Sequence, residues 1–200
     1  RNPRIADWPT ANSAQIAWQG PASNGGFPLT GYKVRISGAN NSNYGPWSSV
    51  GPGTTTMTYG SLVKGATYKV QIVAVNAVGD GAVVTMSFKQ PTTPGAPTGA
   101  RMSAQPAPGK ATIVWSPPSD NGGAPVIKYL VKLAKVSTLN GSAAASVSTY
   151  QEVKTLAAPA APLTVTLSGL TKDSTYKVQI IAVNIAGQGT PANVQFKQLK

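Results

Sequence analysis

The sequence contains neither cysteine nor histidine among its 200 residues. Without cysteine there can be no disulfide and no thiolate ligand, so each domain must be held together by its hydrophobic core. Without histidine the chain lacks the commonest general base and the commonest metal ligand. These absences exclude the most frequent kinds of catalytic and metal site, and we predict that the chain carries no cofactor.

Acidic residues are also scarce, with five Asp and Glu against 17 Lys and Arg, which gives a formal net charge of +12. They are scattered along the chain, and none recurs at the equivalent place of the repeat described below. No pair of carboxylates is therefore available for acid–base work of the glycosidase kind. We predict that the chain is not an enzyme. The five acids are Asp7, Asp80, Asp120, Glu152 and Asp173.

The positive charge reflects this shortage of acid rather than an abundance of base. Charged residues make up 11% of the chain, against about 25% in an average globular protein. No three Lys or Arg stand in a row, a pattern that does not favour nucleic acid as a partner. No apolar run approaches the roughly 20 residues that a membrane-spanning helix needs, so we predict no membrane span.

An internal repeat organises the sequence. Leu62–Gln90 aligns with Leu170–Gln198 at an offset of 108, with 16 identities in 29 positions, and Ala14–Ile36 aligns with Ala111–Leu133 at an offset of 97. The difference between the offsets predicts an 11-residue insertion in the second copy, within Ser137–Gln151. Two domains follow from the repeat, residues 1–92 and 93–200.

Apolar residues alternate with polar ones within each copy, as half-buried strands require. Tyr32, Val34 and Ile36 share one side of a strand, whereas Lys33 and Arg35 share the other. Gly, Pro and Asn turns separate such short segments, a pattern typical of an all-β sandwich. Three prolines between residues 91 and 97 restrict the backbone at the join and favour an extended conformation there.

The motifs of both copies resemble those of the fibronectin type III family. Each copy has a strand B Trp, an Asn-Gly-Gly turn, a strand C Tyr, a Leu six residues before a strand F Tyr, and an Ala-Val-Asn strand end. The resemblance implies two tandem, immunoglobulin-like sandwiches of seven strands, with A, B and E in one sheet and C, C′, F and G in the other. The signature residues are Trp18, Tyr32, Leu62 and Tyr68 in the first copy, and Trp115, Tyr129, Leu170 and Tyr176 in the second.

Several features of these motifs can be interpreted further. Trp18 and Trp115 share the inward phase of strand B, so core packing is favoured over a sugar-stacking role. The resemblance implies tyrosine corners at Tyr68 and Tyr176. The strand C′ aromatic is Trp47 in the first copy, and its only counterpart in the second copy is Tyr150. The resemblance therefore does not establish the C′ edge of the second domain. Asn40-Asn41-Ser42 and Asn140-Gly141-Ser142 match glycosylation sequons.

Two sets of outward-facing strand residues are candidate contact surfaces. The first set consists of apolar residues on strand F. They are covered by a neighbouring loop, or they are tolerated on the surface, or they form a contact with another subunit. The second is basic on strands C and F, and it either solubilises the sheet or attracts anionic glycans, polymers or an acidic subunit. The apolar set is Val73, Val75, Ile181 and Val183, and the basic set is Lys33, Arg35, Lys69, Lys132 and Lys177.

The resemblance implies a non-catalytic module of a larger extracellular, cell-surface or virion protein, whose partners are other subunits or further domains of the same polypeptide. Three roles stay open because the fold does not determine function. The first is a passive or adhesive rod, and the second is a subunit of a filament, sheath or virus particle. The third is an accessory domain pair beside a secreted polysaccharide-degrading domain.

Overall fold

The structure is a computed structural model that describes residues 1–138, 145–158 and 162–199. Its contacts divide the chain into two compact units, Arg1–Thr92 and Thr93–Lys200, which we call domain 1 and domain 2. The regular structure of the described residues consists of strands alone. The predicted all-β class is therefore confirmed. No helix that could span a membrane occurs in the described ranges.

Domain 1 pairs its strands into two antiparallel sheets. One sheet has the order β1-β2-β5, and the other has the order β4-β3-β6-β7 with β8 also paired to β6. These sheets correspond to the predicted A, B, E and C′, C, F, G sets, with the last strand divided into two segments. The strands are β1 (Arg4–Asp7), β2 (Ala14–Ala17), β3 (Leu29–Ile36), β4 (Ser48–Val50), β5 (Thr56–Tyr59), β6 (Thr67–Asn76), β7 (Gly79–Asp80) and β8 (Val84–Lys89).

Domain 2 repeats this arrangement. One sheet has the order β14-β10-β9, and the other has the order β12-β11-β15-β16, with β13 paired to β11 and β17 paired to β15. The strands are β9 (Pro97–Ala104), β10 (Ala111–Pro118), β11 (Lys128–Thr138), β12 (Ala145–Val147), β13 (Gln151–Ala157), β14 (Thr164–Leu167), β15 (Thr175–Asn184), β16 (Gly187–Gln188) and β17 (Ala192–Lys197).

The strand C′ edge is longer in domain 2 than in domain 1, and residues 139–144 of the predicted insertion lie outside the described residues. β13 spans seven residues where β4 of domain 1 spans three. Its partner β11 continues past the end of the β13 pairing and pairs Val136–Thr138 with β12. A longer C′ strand therefore forms this edge of domain 2. Its pairing with strand C does not require an aromatic residue equivalent to Trp47.

Each domain has its own core between its two sheets. In domain 1 the fully enclosed residues include Ile16, Val34 and Val70, and in domain 2 they include Ile113, Val131 and Val178. These residues come from equivalent places in the repeat, because period-2 alternation on three neighbouring strands turns the same positions inward. The strand B tryptophans belong to these cores, since Trp18 is 3% exposed and Trp115 is 5% exposed.

The strand F tyrosines lie where tyrosine corners were expected. The hydroxyl of Tyr68 accepts a hydrogen bond of 2.8 Å from the Val63 amide. The hydroxyl of Tyr176 accepts one of 2.8 Å from the Thr171 amide. Each ring also stacks on the Phe of strand G, Phe88 or Phe196. In both domains the hydrogen bond therefore ties the loop between strands E and F to the core.

Replacing Tyr176 by Phe should lower the free energy of unfolding of domain 2 by about 1 to 3 kcal/mol, since the Thr171 amide would lose the hydroxyl acceptor that Tyr176 provides while the ring stays in place. Thermal unfolding followed by signals specific to each domain measures the change. Tyr150→Phe is a suitable control, because the Tyr150 hydroxyl makes no hydrogen bond among the described residues. Equal stability of Tyr176→Phe and the unchanged protein would contradict a stabilising corner.

Candidate functional site

The predicted basic face of domain 1 lies on the outer side of the sheet that contains strands C and F. Lys33 and Arg35 on β3 stand opposite Val73 and Gln71 on β6. Lys69 follows on β6, where its amide donates to the Ser37 hydroxyl at 2.9 Å. The three basic residues therefore share a face, as the alternation of the two strands predicts.

Two of these three bases are engaged by neighbouring side chains. The Lys33 ammonium forms an ion pair of 2.9 Å with Asp80 on β7. The Lys69 ammonium donates a hydrogen bond of 2.8 Å to the Ser42 hydroxyl. The expectation that few acids neutralise this face is thus wrong for Lys33, because the hairpin between β6 and β7 brings one of the five acids across the sheet.

The third base, Arg35, lies between two aromatic rings. Its Cζ atom is 4.7 Å from the ring centroid of Tyr44 and 4.2 Å from that of Trp47. Its Nε donates a hydrogen bond of 2.8 Å to Gln71 Oε1. Cation–π contacts of this kind hold the guanidinium plane in one orientation. Sequence reasoning did not identify Tyr44, and the only available signal was its position close to Trp47.

The second half of the predicted basic face differs from the first. Lys132 occupies the position equivalent to Arg35 and stands opposite Gln179, and Lys177 stands opposite Ala134. Both lysines are half-buried on the outer face of β11 and β15. No aromatic residue covers Lys132 in the described part of domain 2. The repeat therefore places positive charge in both domains but orients a guanidinium only in domain 1.

The predicted apolar contact residues are mostly buried. Val73 is 3% exposed, Ile181 is 4% exposed and Val183 is 7% exposed. Ile181 and Val183 form a separate apolar cluster with Leu130, which stands directly opposite Ile181. Only Val75 is half-buried. Because the domain itself encloses three of these side chains, their burial favours the interpretation that neighbouring residues cover them, and a contact with another subunit stays a prediction.

The surroundings of two acids and two tyrosines indicate structural roles. Asp120 accepts a hydrogen bond of 2.8 Å from the Gly122 amide, and Glu152 accepts one of 2.6 Å from the Thr155 hydroxyl. Burial raises the pKa of Tyr59 to about 12 and also raises the pKa of Tyr129, so both phenols stay protonated at neutral pH. Within the described ranges, no group of three potential carboxylate, Cys or His ligands could hold a metal.

The structure describes only the first of the two sequons. Asn40 is exposed and has a left-handed backbone with a φ of 56°. Its Oδ1 accepts a hydrogen bond of 2.8 Å from the Thr67 amide. The second sequon, at Asn140, lies outside the described residues.

The two strand-end asparagines hold the loops at one end of each sandwich together. Asn76 Nδ2 donates a hydrogen bond of 2.8 Å to the Asn24 carbonyl, and Asn184 Nδ2 donates one of 2.8 Å to the Asn121 carbonyl. Each bond joins the loop between strands B and C to the turn between strands F and G. Sequence reasoning noticed these asparagines as part of the Ala-Val-Asn motif but did not assign this role.

Comparison with known proteins gives one family twice along the chain. The fibronectin type III domain model matches residues 2–87 and 95–197. Myomesin-2 of Homo sapiens is 27% identical over 197 residues, covering 94% of this chain and 12% of that protein. Chitinase A1 of Niallia circulans is 32% identical over 193 residues, covering 92% of this chain and 23% of that protein.

A solved two-domain fibronectin type III segment of chicken tenascin is similar over 98% of both chains, with 19% identity and a TM-score of 0.41. Fibronectin type-III domain-containing protein 3A of Mus musculus is 29% identical over 124 residues, covering 60% of this chain. The chain spans between 10% and 23% of the lengths of the three curated relatives named here. The two matches of the family model together with the two sandwiches show that the chain belongs to the fibronectin type III domain family.

Proposed function

We propose that this tandem pair is a non-catalytic structural or adhesive module of a larger extracellular, cell-surface or virion protein, and that the outer face of domain 1 contacts an acidic partner. The observation that carries the proposal is the orientation of Arg35 between Tyr44 and Trp47. The two Nη groups of Arg35 have no hydrogen-bond partner among the described residues. They can therefore donate a bidentate pair to a carboxylate or sulfate.

The surroundings of Arg35 support an acidic partner over a neutral one. Lys69 lies on the same face, and its contact is to a neutral hydroxyl, so its charge is retained. Trp47 is 36% exposed at the edge strand, where a ring can cover part of a bound sugar or side chain. The face thus combines one oriented guanidinium, one ammonium and one accessible ring.

The experiment compares retention of the whole chain on immobilised polygalacturonate at low salt. Arg35→Gln should weaken binding roughly tenfold, because it removes a charge-assisted, oriented hydrogen-bond pair. Lys132→Gln at the equivalent place in domain 2 is the matched control, since it removes the same charge from the same strand position. We expect Lys132→Gln to reduce retention far less.

The salt dependence and the control decide the result. Binding through Arg35 should weaken steeply as screening shortens toward about 8 Å at physiological ionic strength. Equal losses for Arg35→Gln and Lys132→Gln would mean that only net charge matters, and the site in domain 1 would be rejected. Retention unaffected by Arg35→Gln would reject it as well.

A second candidate function has support from the similarity to Chitinase A1, which covers 92% of this chain. In that case the pair is an accessory module beside a polysaccharide-degrading domain, and its ligand is a neutral polymer. Retention of the chain on insoluble chitin, lost in Trp47→Ala and kept in Arg35→Gln, would favour this candidate. Failure to bind chitin at all would count against it.

A further inference from the structure

A cavity lies on the outer face of domain 2, on the sheet that contains strands C and F. Its volume is about 260 Å³, which is below the range of roughly 300 to 1,000 Å³ for pockets that hold drug-sized ligands. It therefore has room for one small chemical unit rather than for a long segment. The residues that line it are Tyr150, Lys177, Asn193, Val194 and Gln195.

Tyr150 reaches this cavity across a neighbouring strand. The pairing of β13 with β11 ends at Gln151, so the backbone of Tyr150 lies at the edge of the sheet. β11 separates this edge from β15, and two strand spacings amount to about 10 Å. The Tyr150 side chain spans this distance over Ala134, which is 2% exposed although it stands on the outer face. The ring of Tyr150 therefore forms one wall of the cavity.

Lys177 supplies an ammonium group to the same cavity. It is half-buried and stands between Ala134 on β11 and Gln195 on β17. Within the described ranges, the Lys177 ammonium forms neither an ion pair nor a hydrogen bond. The equivalent Lys69 of domain 1 instead donates to the Ser42 hydroxyl at 2.8 Å. The repeat thus places a lysine here twice, and the lysine of domain 2 keeps its donors for a ligand.

Two amide side chains form the rest of the polar wall. Gln179 Nε2 donates a hydrogen bond of 3.3 Å to Asn193 Oδ1, and the Asn193 Nδ2 group has no partner among the residues that the structure describes. The Gln195 side chain makes no hydrogen bond to another described residue, so its amide can both donate and accept. A ring beside amide and ammonium groups suits a sugar, which has an apolar face and several hydroxyl groups.

The charges around the cavity favour a sugar that carries a carboxylate. On the same face, Lys132 stands opposite Gln179 and Lys197 stands opposite Thr175, one on each side of the cavity. The Lys197 ammonium lies 3.7 Å from Asp173, but both side chains are more than half exposed, so solvent screens this pair. No acidic residue of the described ranges lines the cavity. Its positive potential therefore favours an anionic ligand over a neutral one.

We propose that this cavity is a binding site for a single sugar unit that carries a carboxylate. The Lys177 ammonium binds the carboxylate, and the Tyr150 ring packs against the apolar face of the sugar. The amides of Asn193 and Gln195 bind its hydroxyl groups. The site lies in domain 2 and does not depend on the contact proposed at Arg35 of domain 1.

The test titrates the whole chain with a soluble trisaccharide of galacturonate while NMR follows the side-chain amides of Asn193 and Gln195. We expect saturable shifts of both amides. Lys177→Gln should weaken binding roughly tenfold, because it removes a charge-assisted hydrogen bond to the carboxylate. Lys172→Gln is the matched control, since it removes the same charge from an exposed position of the same domain that does not line the cavity. It should leave binding unchanged.

Two substitutions of Tyr150 separate its ring from its hydroxyl. Tyr150→Ala should abolish the saturable shifts, because the wall that packs against the sugar is lost. Tyr150→Phe keeps the ring and should retain binding. The unfolding midpoint of domain 2, measured for each variant, distinguishes a lost site from a lost fold. Binding that persists in Tyr150→Ala, or that disappears in a folded Tyr150→Phe, would contradict packing of the sugar on the ring.

Two further ligands test the chemical class. A neutral trisaccharide of galactose should bind roughly tenfold more weakly or worse, because it lacks the carboxylate. Equal binding of the two trisaccharides, or equal losses in Lys177→Gln and Lys172→Gln, would overturn the proposal. Equal binding of a glutamate tripeptide would assign the cavity to an acidic peptide and reject the sugar. Arg35→Gln should leave the shifts in domain 2 unchanged, so failure of the contact in domain 1 and failure of this site are distinguishable.

Discussion

Replacing Trp115 by alanine should unfold domain 2 under conditions in which domain 1 stays folded. Trp115 is 5% exposed, and its ring meets Tyr129 edge-on at a centroid distance of 5.8 Å within the core. Truncating a buried Trp to Ala costs about 3 to 5 kcal/mol. That loss is comparable with the whole stability of many small domains, which is about 5 to 15 kcal/mol.

The measurement is thermal unfolding with a probe for each domain, and the midpoint for domain 2 should fall by well over about 10 °C. Trp47→Ala is the matched control in domain 1, because Trp47 is 36% exposed and loses mainly a cation–π contact of about 0.5 to 1 kcal/mol. If Trp115→Ala abolished binding to a polysaccharide while domain 2 kept its unfolding midpoint, Trp115 would be a ligand platform and its place in the core would be contradicted.

A lysine in place of Ile181 should destabilise domain 2 by about 3 kcal/mol or more at neutral pH. Ile181 packs with Leu130 and Val183 in an enclosed apolar cluster. Burial of an ammonium disfavours its charged form by several pKa units, and each unit is about 1.4 kcal/mol. The loss should be smaller than full burial implies if the flexible lysine stem carries its ammonium to the surface.

The pH dependence of this variant identifies burial as the cause. A buried lysine has a lower pKa in the folded domain than its value of about 10.4 in the unfolded chain. The loss of stability is therefore complete at neutral pH and shrinks as pH rises toward that value. Gln179→Lys, on the same face of β15, is the control and should cost much less, because Gln179 is half-exposed and only the repulsion from Lys132 opposite it is added. A stable Ile181→Lys domain that failed to assemble would instead support the contact interpretation.

Much of the fold could be predicted because its signals are local or repeated. Alternation on strands B, C and F assigns Ile16, Val34 and Val70 to a core, and the same positions recur in the second copy. The tyrosine corners follow from a Leu and a Tyr six residues apart, because the Tyr hydroxyl accepts a hydrogen bond from the amide that follows the Leu and so closes a short loop. Such features depend on few distant contacts, so residue type and spacing carry the information.

The candidate site was predicted less completely. The alternation of side chains along strand C places Lys33 and Arg35 on the outer face. It does not predict which residues of other strands contact them. Asp80 is 47 residues from Lys33 and pairs with it only because β6 and β7 form a hairpin beside β3. Tyr44 and Trp47 enclose Arg35 only because the chain turns back to form the edge strand.

The sequence by itself determined the two domains, their all-β class, the residues of both cores and the absence of cysteine and histidine from any site. Only the tertiary structure decided that Val73, Ile181 and Val183 are enclosed and that Arg35 alone among the predicted bases is held between rings. Only the tertiary structure placed Pro94 against Gly189 in domain 2. The physical reason is that alternation specifies the side of a strand on which a side chain lies, whereas burial, charge pairing and docking depend on which distant segment covers that side.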